Sequence, residues 1–436
     1  MTHFSRLLIS SLFLTIAAGQ AHAQSIFDLP ELMLQGRQSS ARTPKLDYDV
    51  EFHYYMDYGD YRYGGEVFND TQLINRGRLT PSATLSTSRD RGTTHRLVLG
   101  MDVIKNMGEY PLSYAQFRES EMDSRLANTG LFKELIFHYN LEKVFRNGTF
   151  NLHAGVFPRS VRQGEYNRTM FSDSDYSFDP NVDGISIKYD GKVTFLELGF
   201  DRTGYKGYDR HESYLAYTAG AIAPLKWAKL GWAGTFRHVG AAKFYSGNSE
   251  CFIFNPYLKF DAGQYLGMDA LSLKAGAVVS YQKDRFLEQD PKFPVGFEAV
   301  ADARFHGLGI ENTYYYGDNM MPLYANDSKY PESIAALLYK GDLMYNSHRG
   351  YATFYDRLEI YCQPQLGQGV SLRASAIANF VKPNEAIPSL AGWHAKVSIL
   401  FDLQKFNSPS KQPREVRTGA GRRNTASKTG IETRNI

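Results

Sequence analysis

Two cysteines in 436 residues, Cys251 and Cys362, are too few for a disulfide scaffold or a thiolate metal or iron–sulfur cluster. Catalytic signatures are missing too: there is no glycine-rich phosphate loop, His-Glu-x-x-His, Gly-x-Ser-x-Gly or EF-hand spacing. Beyond residue 23 no run of eighteen apolar residues occurs, and the best remaining cluster, Ile334 to Tyr339, is far too short to cross a bilayer as a helix. The rest of the chain either stays in water or crosses with strands, the other architecture that satisfies its backbone in lipid. No repeat with a period of about 40 to 50 residues is present, which argues against a propeller.

Charge of one sign is also scarce. Lys and Arg number 49 and Asp and Glu 46, a formal +3. Residues 407–436 hold seven basic and two acidic residues, and Arg6 adds one more positive charge, so the body between them carries −3. Such a body offers nucleic acid no basic face.

The ends read as separate pieces. Residues 1–23 form a secretory signal: a weakly basic start, an apolar run from Leu7 to Ala18, and Ala21-His22-Ala23 before Gln24. An N-terminal membrane helix is the alternative, but the run is short and small residues follow it. Residues 24–45 are a periplasmic lead-in or a small plug, with Phe27, Leu29, Leu32 and Leu34. Residues 407–436, rich in Ser, Thr, Gly and Arg, are expected to be a disordered basic tail.

What the chain has in quantity is 30 Tyr and 28 Phe, residues that favour pleated surfaces and membrane interfaces. Period-two alternation is clearest near the end. Trp393, Ala395, Val397, Ile399, Phe401 and Leu403 alternate with His394, Lys396, Ser398, Leu400, Asp402 and Gln404. A tilted strand needs about 9–11 residues to cross a bilayer, with an apolar lipid face and a lumen face free to be polar. Leu271 to Gln282, Ser371 to Phe380, Cys251 to Asp261 and Phe150 to Val156 repeat the pattern, Pro256 marking a bulge or bend.

About sixteen strands follow, starting near residues 46, 78, 95, 131, 149, 184, 193, 211, 226, 251, 271, 295, 308, 353, 370 and 393; fourteen or eighteen are the neighbouring counts. The gaps alternate. Long ones, such as 57–77, 106–130, 158–183 and 316–352, are separated by short ones such as Arg146-Asn147-Gly148, Asp190-Gly191-Lys192 and His306-Gly307. The predicted fold is an all-β transmembrane antiparallel barrel over 46–406, with short periplasmic turns, long extracellular loops and Phe406 as the closing aromatic residue. A secreted sandwich would alternate as well, with less lopsided turns. Aromatic clusters at Tyr54–Tyr63 and Tyr314-Tyr315-Tyr316 suit an interfacial girdle; a sugar-stacking groove would use the same residues.

Inward positions carry Asp102, Glu134, Glu197, Glu298, Asp302, Glu359 and Asp402 against Lys188, Lys259, Lys274, Arg304, Arg357, Arg373 and Lys396. No ladder of one sign results, so these charges either line a wet, weakly selective channel or pair across the lumen. The third long gap is the most distinctive. It runs from Gly155-Val156-Phe157-Pro158-Arg159 through Asp179 to Asp183. Folded inwards, Arg159, Arg162 and Arg168 would face Glu165, Asp173 and Asp175 as a constriction; the alternative is a solvated loop pinned by ion pairs. Lys259, Lys274, Arg357 and Arg373 are the basic lumen candidates. Asp173, Asp175, Asp179 and Asp183 are spaced too irregularly for a convincing Ca²⁺ loop. His138 and His153 fall on adjacent strands without a serine motif, and no enzymatic activity is expected. Cys251 and Cys362 lie at opposite rims, four strands apart, which makes pairing unexpected. Glu332 to Tyr339 is a candidate pair of helical turns that would rest in the mouth as a lid or pack on a partner.

Across roughly Leu46 to Phe406 the export signal, strand rhythm, loop asymmetry and aromatic last strand resemble the outer-membrane porin-like barrels of Gram-negative bacteria. The Gly155-Val156-Phe157-Pro158-Arg159 stretch is loosely similar to a strand end in those proteins. The resemblance implies an outer-membrane location among lipid and lipopolysaccharide. It implies passive, cofactor-free passage of small hydrophilic solutes, with a homo-oligomer as a common form. The competing reading is a non-conducting barrel in an envelope assembly, export or surface-lipoprotein complex, meeting its partner through outer loops and termini.

Overall fold

The structure is a computed structural model that describes residues 44–61, 71–88, 92–107, 132–173, 179–205, 211–241, 247–285, 290–323, 338–345, 353–364, 366–367, 369–383 and 389–403. The signal, the lead-in up to residue 43, most of the candidate helix at 332–339, Asp175, Phe406 and the basic tail lie outside them.

Sixteen strands run β1 Lys45–Tyr61, β2 Thr71–Ser88, β3 Thr93–Asn106, β4 Phe132–Phe145, β5 Gly148–Pro158, β6 Asn181–Gly191, β7 Thr194–Gly204 and β8 Ser213–Leu225. They continue as β9 Ala228–Val239, β10 Ser249–Asp261, β11 Ala270–Asp284, β12 Val295–Phe305, β13 Leu308–Gly317, β14 Thr353–Cys362, β15 Val370–Val381 and β16 Leu390–Asp402. Each pairs antiparallel with its chain neighbours, and β1 pairs with β16, so the sheet closes into a barrel. Closure leaves no unpaired edge, which a strand in hydrocarbon requires. No described helix is long and apolar enough to cross a membrane.

Alternation decides which side chains meet lipid. Leu99, Phe137, Leu198, Leu230, Leu258 and Ile360 point outwards and are exposed, while Asp102, Glu197, Asn255, Glu298, Arg357 and Glu359 point inwards and are buried. The lipid-facing band is therefore apolar and the interior charged, as a transmembrane barrel demands. Short turns join the strands at one end. His306 and Gly307 both take positive φ (48° and 80°), the hairpin geometry that matches the right-handed twist of the flanking strands.

Two expectations need adjustment. The first long gap is not 57–77, because the alternation of the Tyr54–Tyr63 run continues into β1 as far as Tyr61. Tyr58 pairs with Leu73 in the ladder and packs edge-on against outward Trp393. The tyrosines divide between the two faces: Tyr48, Tyr58, Tyr314 and Tyr316 are exposed on the outside, as a girdle requires. Tyr55, Tyr217, Tyr257, Tyr315, Tyr355 and Tyr361 face inwards and are buried. Tyr217, Tyr257 and Tyr361 each lie over a cross-strand glycine (Gly199, Gly231 and Gly309) that leaves room for the ring. Both cysteines are free thiols, Cys251 buried and facing inwards.

Candidate constriction inside the barrel

β5 ends in a bend made by Gly155, whose φ of +118° and approach to the Phe137 carbonyl exclude a side chain; a Cβ there would stand 2.3 Å from that oxygen. Beyond Pro158 the third long loop turns into the lumen, and residues 166–171 are all buried. Arg159 fastens its two ends. Its amide donates to the Pro180 carbonyl at 2.7 Å, and its guanidinium pairs with Asp179 of the returning chain and Asp201 of β7.

From there the loop follows the inner wall from β7 towards β16. Glu197 of β7 accepts from the amides of Gln163 (2.6 Å) and Gly164 (3.3 Å) and from the Tyr166 hydroxyl (2.8 Å). Arg162 lies 3.6 Å above the Phe171 ring and 5.6 Å from that of Tyr217. One oxygen of Glu165 accepts from Lys229 of β9 and Lys259 of β10, both at 2.8 Å, while Lys274 of β11 donates to the Glu165 backbone carbonyl at 2.8 Å. Burial disfavours the Glu165 carboxylate, but Lys259, Lys229 and Lys274 outweigh it and hold the carboxyl well below its usual range.

The far part of the loop enters an ion-pair network. Arg168 meets Asp173 at 2.8 Å and Glu311 at 3.6 Å; Lys396 of β16 meets Asp173 at 2.8 Å, and Arg357 of β14 reaches it at 3.7 Å. Arg357 and Arg373 each reach Glu359 at 2.7 Å, and Lys396 lies 3.5 Å from Asp57. Four cations, Arg168, Arg357, Arg373 and Lys396, thus meet four carboxylates, Asp57, Asp173, Glu311 and Glu359. Asp173, despite its burial, is held ionised well below the carboxylate range by Arg168, Lys396 and Arg357. Of the aspartates weighed for a Ca²⁺ loop, Asp173 and Asp179 are engaged by cations, and Asp175 lies outside the described residues. Among the described residues no group of three or more His, Cys, Asp or Glu is placed to hold a metal.

A second loop, after β13, descends beside the first. Met320, Met321, Leu323, Leu338, Tyr339, Met344 and Tyr345 are buried against Tyr166, Met170 and Phe171 and against Leu215, Ile253 and Val278 of the wall. The two loops are joined through backbone: Ser172 donates to the Lys340 carbonyl at 2.8 Å and Asp342 to the Arg168 carbonyl at 2.7 Å. Leu338 and Tyr339, the described end of the candidate lid, therefore sit deep within this packing.

The side-chain ties given above run from the loop's described residues to the other wall, and the wall formed by β1 to β5 has polar contacts of its own. There Arg78 grips Asp102 with two bonds of 2.9 Å, Asn181 bridges Asp102 (2.6 Å) and Glu134 (2.8 Å), and His138 and His153 stand 5.8 Å apart. Glu51, His53, Glu134 and His153 are half-buried, while the Arg78 side chain keeps 11% of its surface exposed.

Of the residues read from sequence, Arg159, Arg162, Glu165, Arg168 and Asp173 lie on the inserted loop. Lys259, Lys274 and Arg357 touch it from the wall, and Arg373 joins through Glu359. The arginines and acids are in contact with each other or the wall; they do not face each other across a gap. Lys229, Asp57, Asp201 and Glu311 escaped the sequence reading. Glu311 was legible, since it shares the inward phase of Gly309 and Tyr315 in β13. Lys229 was legible in the same way, since it shares the inward phase of Ala233 and Thr235 in β9.

No protein-family model matches the chain, and no curated protein matches it. Solved structures do. OmpT of Vibrio cholerae, in a form lacking loop L8, is 8% identical with a TM-score of 0.46, covering 83% of this chain and 100% of that one. OmpF of Salmonella typhi is 10% identical (TM-score 0.45, 82% and 97%). The anion-selective porin of Comamonas acidovorans is also 10% identical (TM-score 0.44, 82% and 99%). The architecture is that of a closed, sixteen-stranded transmembrane β-barrel. It rests on this chain's own closed ladder of sixteen strands and apolar outer band.

Proposed function

We propose that the protein is an outer-membrane channel for small hydrophilic solutes, narrowed from within by the loop between β5 and β6. One observation carries this reading: among the described residues the loop's ties run to β7, β9–β11, β13–β14 and β16, and solute would pass along the polar wall of β1 to β5. Glu51, His53, Arg78, Glu134 and His153 place groups of both signs along that wall, each held in the wall's own contacts, and such a mixed lining suits hydrated solutes of either sign. Passage would be passive and free of cofactor, and self-association would follow the habit of such barrels. In liposomes containing the folded protein, small sugars should enter and cause swelling while larger oligosaccharides should not.

A second reading has its own support. The apolar packing of Met320, Met321, Leu323, Tyr339 and Tyr345 against the first loop fills part of the lumen, as expected of a non-conducting subunit of an envelope complex. Liposomes that fail to swell with the smallest sugar would favour it over the channel.

A further inference from the structure

A polar pair interrupts the apolar outer band on β13 and β14. Glu311 and Thr313 of β13, and Tyr355 and Arg357 of β14, are buried facing inwards, so Asn312 and Asp356 between them point outwards. Asn312 is the fifth of ten residues in its strand and Asp356 the fourth of ten in the next. On the same face Tyr314, Tyr316 and Phe354 lie towards the long-loop end, and Ile310 and Ile360 towards the short-turn end. The pair therefore sits within the apolar band. Nδ2 of Asn312 donates to Oδ1 of Asp356 at 2.5 Å. That bond uses one of two amide N–H groups and one of two carboxyl oxygens. The second N–H of Asn312 and Oδ2 of Asp356 have no partner among the described residues. Hydrocarbon cannot supply one, and an ionisable group facing lipid is costly.

The flanking strands lower the relief around the pair. Outward positions on β12 are Ala299, Ala301 and Ala303, and on β15 Ala374, Ala376 and Ala378. On β7 the corresponding face carries Leu196, Leu198 and Phe200. Small side chains on both sides of the pair let a second surface come close to it. We propose that β12–β15 form a two-fold interface with a second copy of the chain, in which the spare N–H of Asn312 on each copy donates to Oδ2 of Asp356 on the other. The pair is self-complementary, with one spare donor and one spare acceptor held at one depth by their mutual bond. Two copies inserted in the same direction, related by an axis along the membrane normal, exchange two such bonds and leave neither group to lipid. A three-fold ring would set this face against a different one and would not join the groups. The contact gives a face and a symmetry to the self-association proposed above, on which it rests; it does not depend on an open lumen.

The test is sedimentation equilibrium of the folded full chain in density-matched detergent, together with thiol cross-linking in liposomes. The full chain should be a dimer. The double variant Asn312→Leu/Asp356→Leu should dissociate at about tenfold higher concentration while keeping its heat-modifiable gel shift. Leu358 is the ladder partner of Asn312, so Leu358→Cys should give a cross-linked dimer when an oxidant is added. Leu198→Cys on β7 should not, both variants carrying Cys362→Ser and retaining the buried Cys251. Cross-linking leaves the polar pair unaltered, so it decides the matter even if the double variant fails to fold. A monomer, a trimer, a dimer as strong in the double variant, or equal cross-linking through Leu198→Cys overturns this interface. A trimer would leave self-association itself standing, and a dimer that carries no current would sink the channel reading alone.

Discussion

The amide of Asp342 donates to the carbonyl of Arg168 at 2.7 Å, joining two loops that leave the barrel from opposite parts of its strand order. Gly341 makes the contact possible, since a Cβ at that position would lie 2.1 Å from the Thr169 carbonyl oxygen. Backbone on both sides leaves nothing flexible to give way. Gly341→Val should cost about 1–3 kcal/mol through forced separation. It should part the two loops while the barrel persists, seen as faster protease nicking within 159–180 at an unchanged heat-modifiable gel shift.

Arg168 is the cation through which the loop meets β13 and β14. Arg168→Met would leave Asp173 and Glu311 short of a partner inside the barrel, a loss of about 3–5 kcal/mol for a buried pair broken on one side. The urea midpoint should fall, and by more than for Arg202→Met, whose pair with Glu212 is exposed.

Phe171 is fully enclosed beneath Arg162, with Tyr166 edge-on at 5.2 Å. Phe171→Ala removes the ring that both side chains pack on and should cost about 3–5 kcal/mol. If the loop alone absorbs the loss, protease sensitivity rises there while far-UV circular dichroism keeps its strand signal.

The pH response follows from Glu165 and Asp173. Burial opposes their charge, yet lysines around Glu165 and Arg168, Lys396 and Arg357 around Asp173 depress both carboxyls below unfolded values of about 4. Their contribution to stability is complete above that value and is lost as pH falls through the depressed folded values. The urea midpoint should therefore drop below about pH 4 while the native loop stays anchored, its protease pattern matching that at neutral pH down to about pH 3. Release of the loop near pH 4 would contradict this.

Most of the barrel was legible because its rule is short: period two fixes the face, and loop asymmetry fixes the rim. His394, Lys396 and Ser398 face inwards and Trp393, Ala395 and Val397 outwards, as their alternation requires. The start of β2 was misjudged because Asn75, Arg76 and Gly77 break the apolar phase, and only pairing with β1 reveals the strand. The loop after Pro158 was legible as the place where charge concentrates. Its partners were hidden, since Glu165 with Lys259 and Asp173 with Lys396 are 94 and 223 residues apart. Such contacts depend on three-dimensional closure, which leaves no local pattern.

Single-channel recording in planar bilayers bears most directly on the central claim, comparing the full chain with a variant whose residues 162–178 are replaced by a short Gly/Ser link. A small steady current that grows severalfold in the variant is the expected result, and it would assign the narrowing to this loop. A chain silent with and without the loop would contradict the channel and its constriction together.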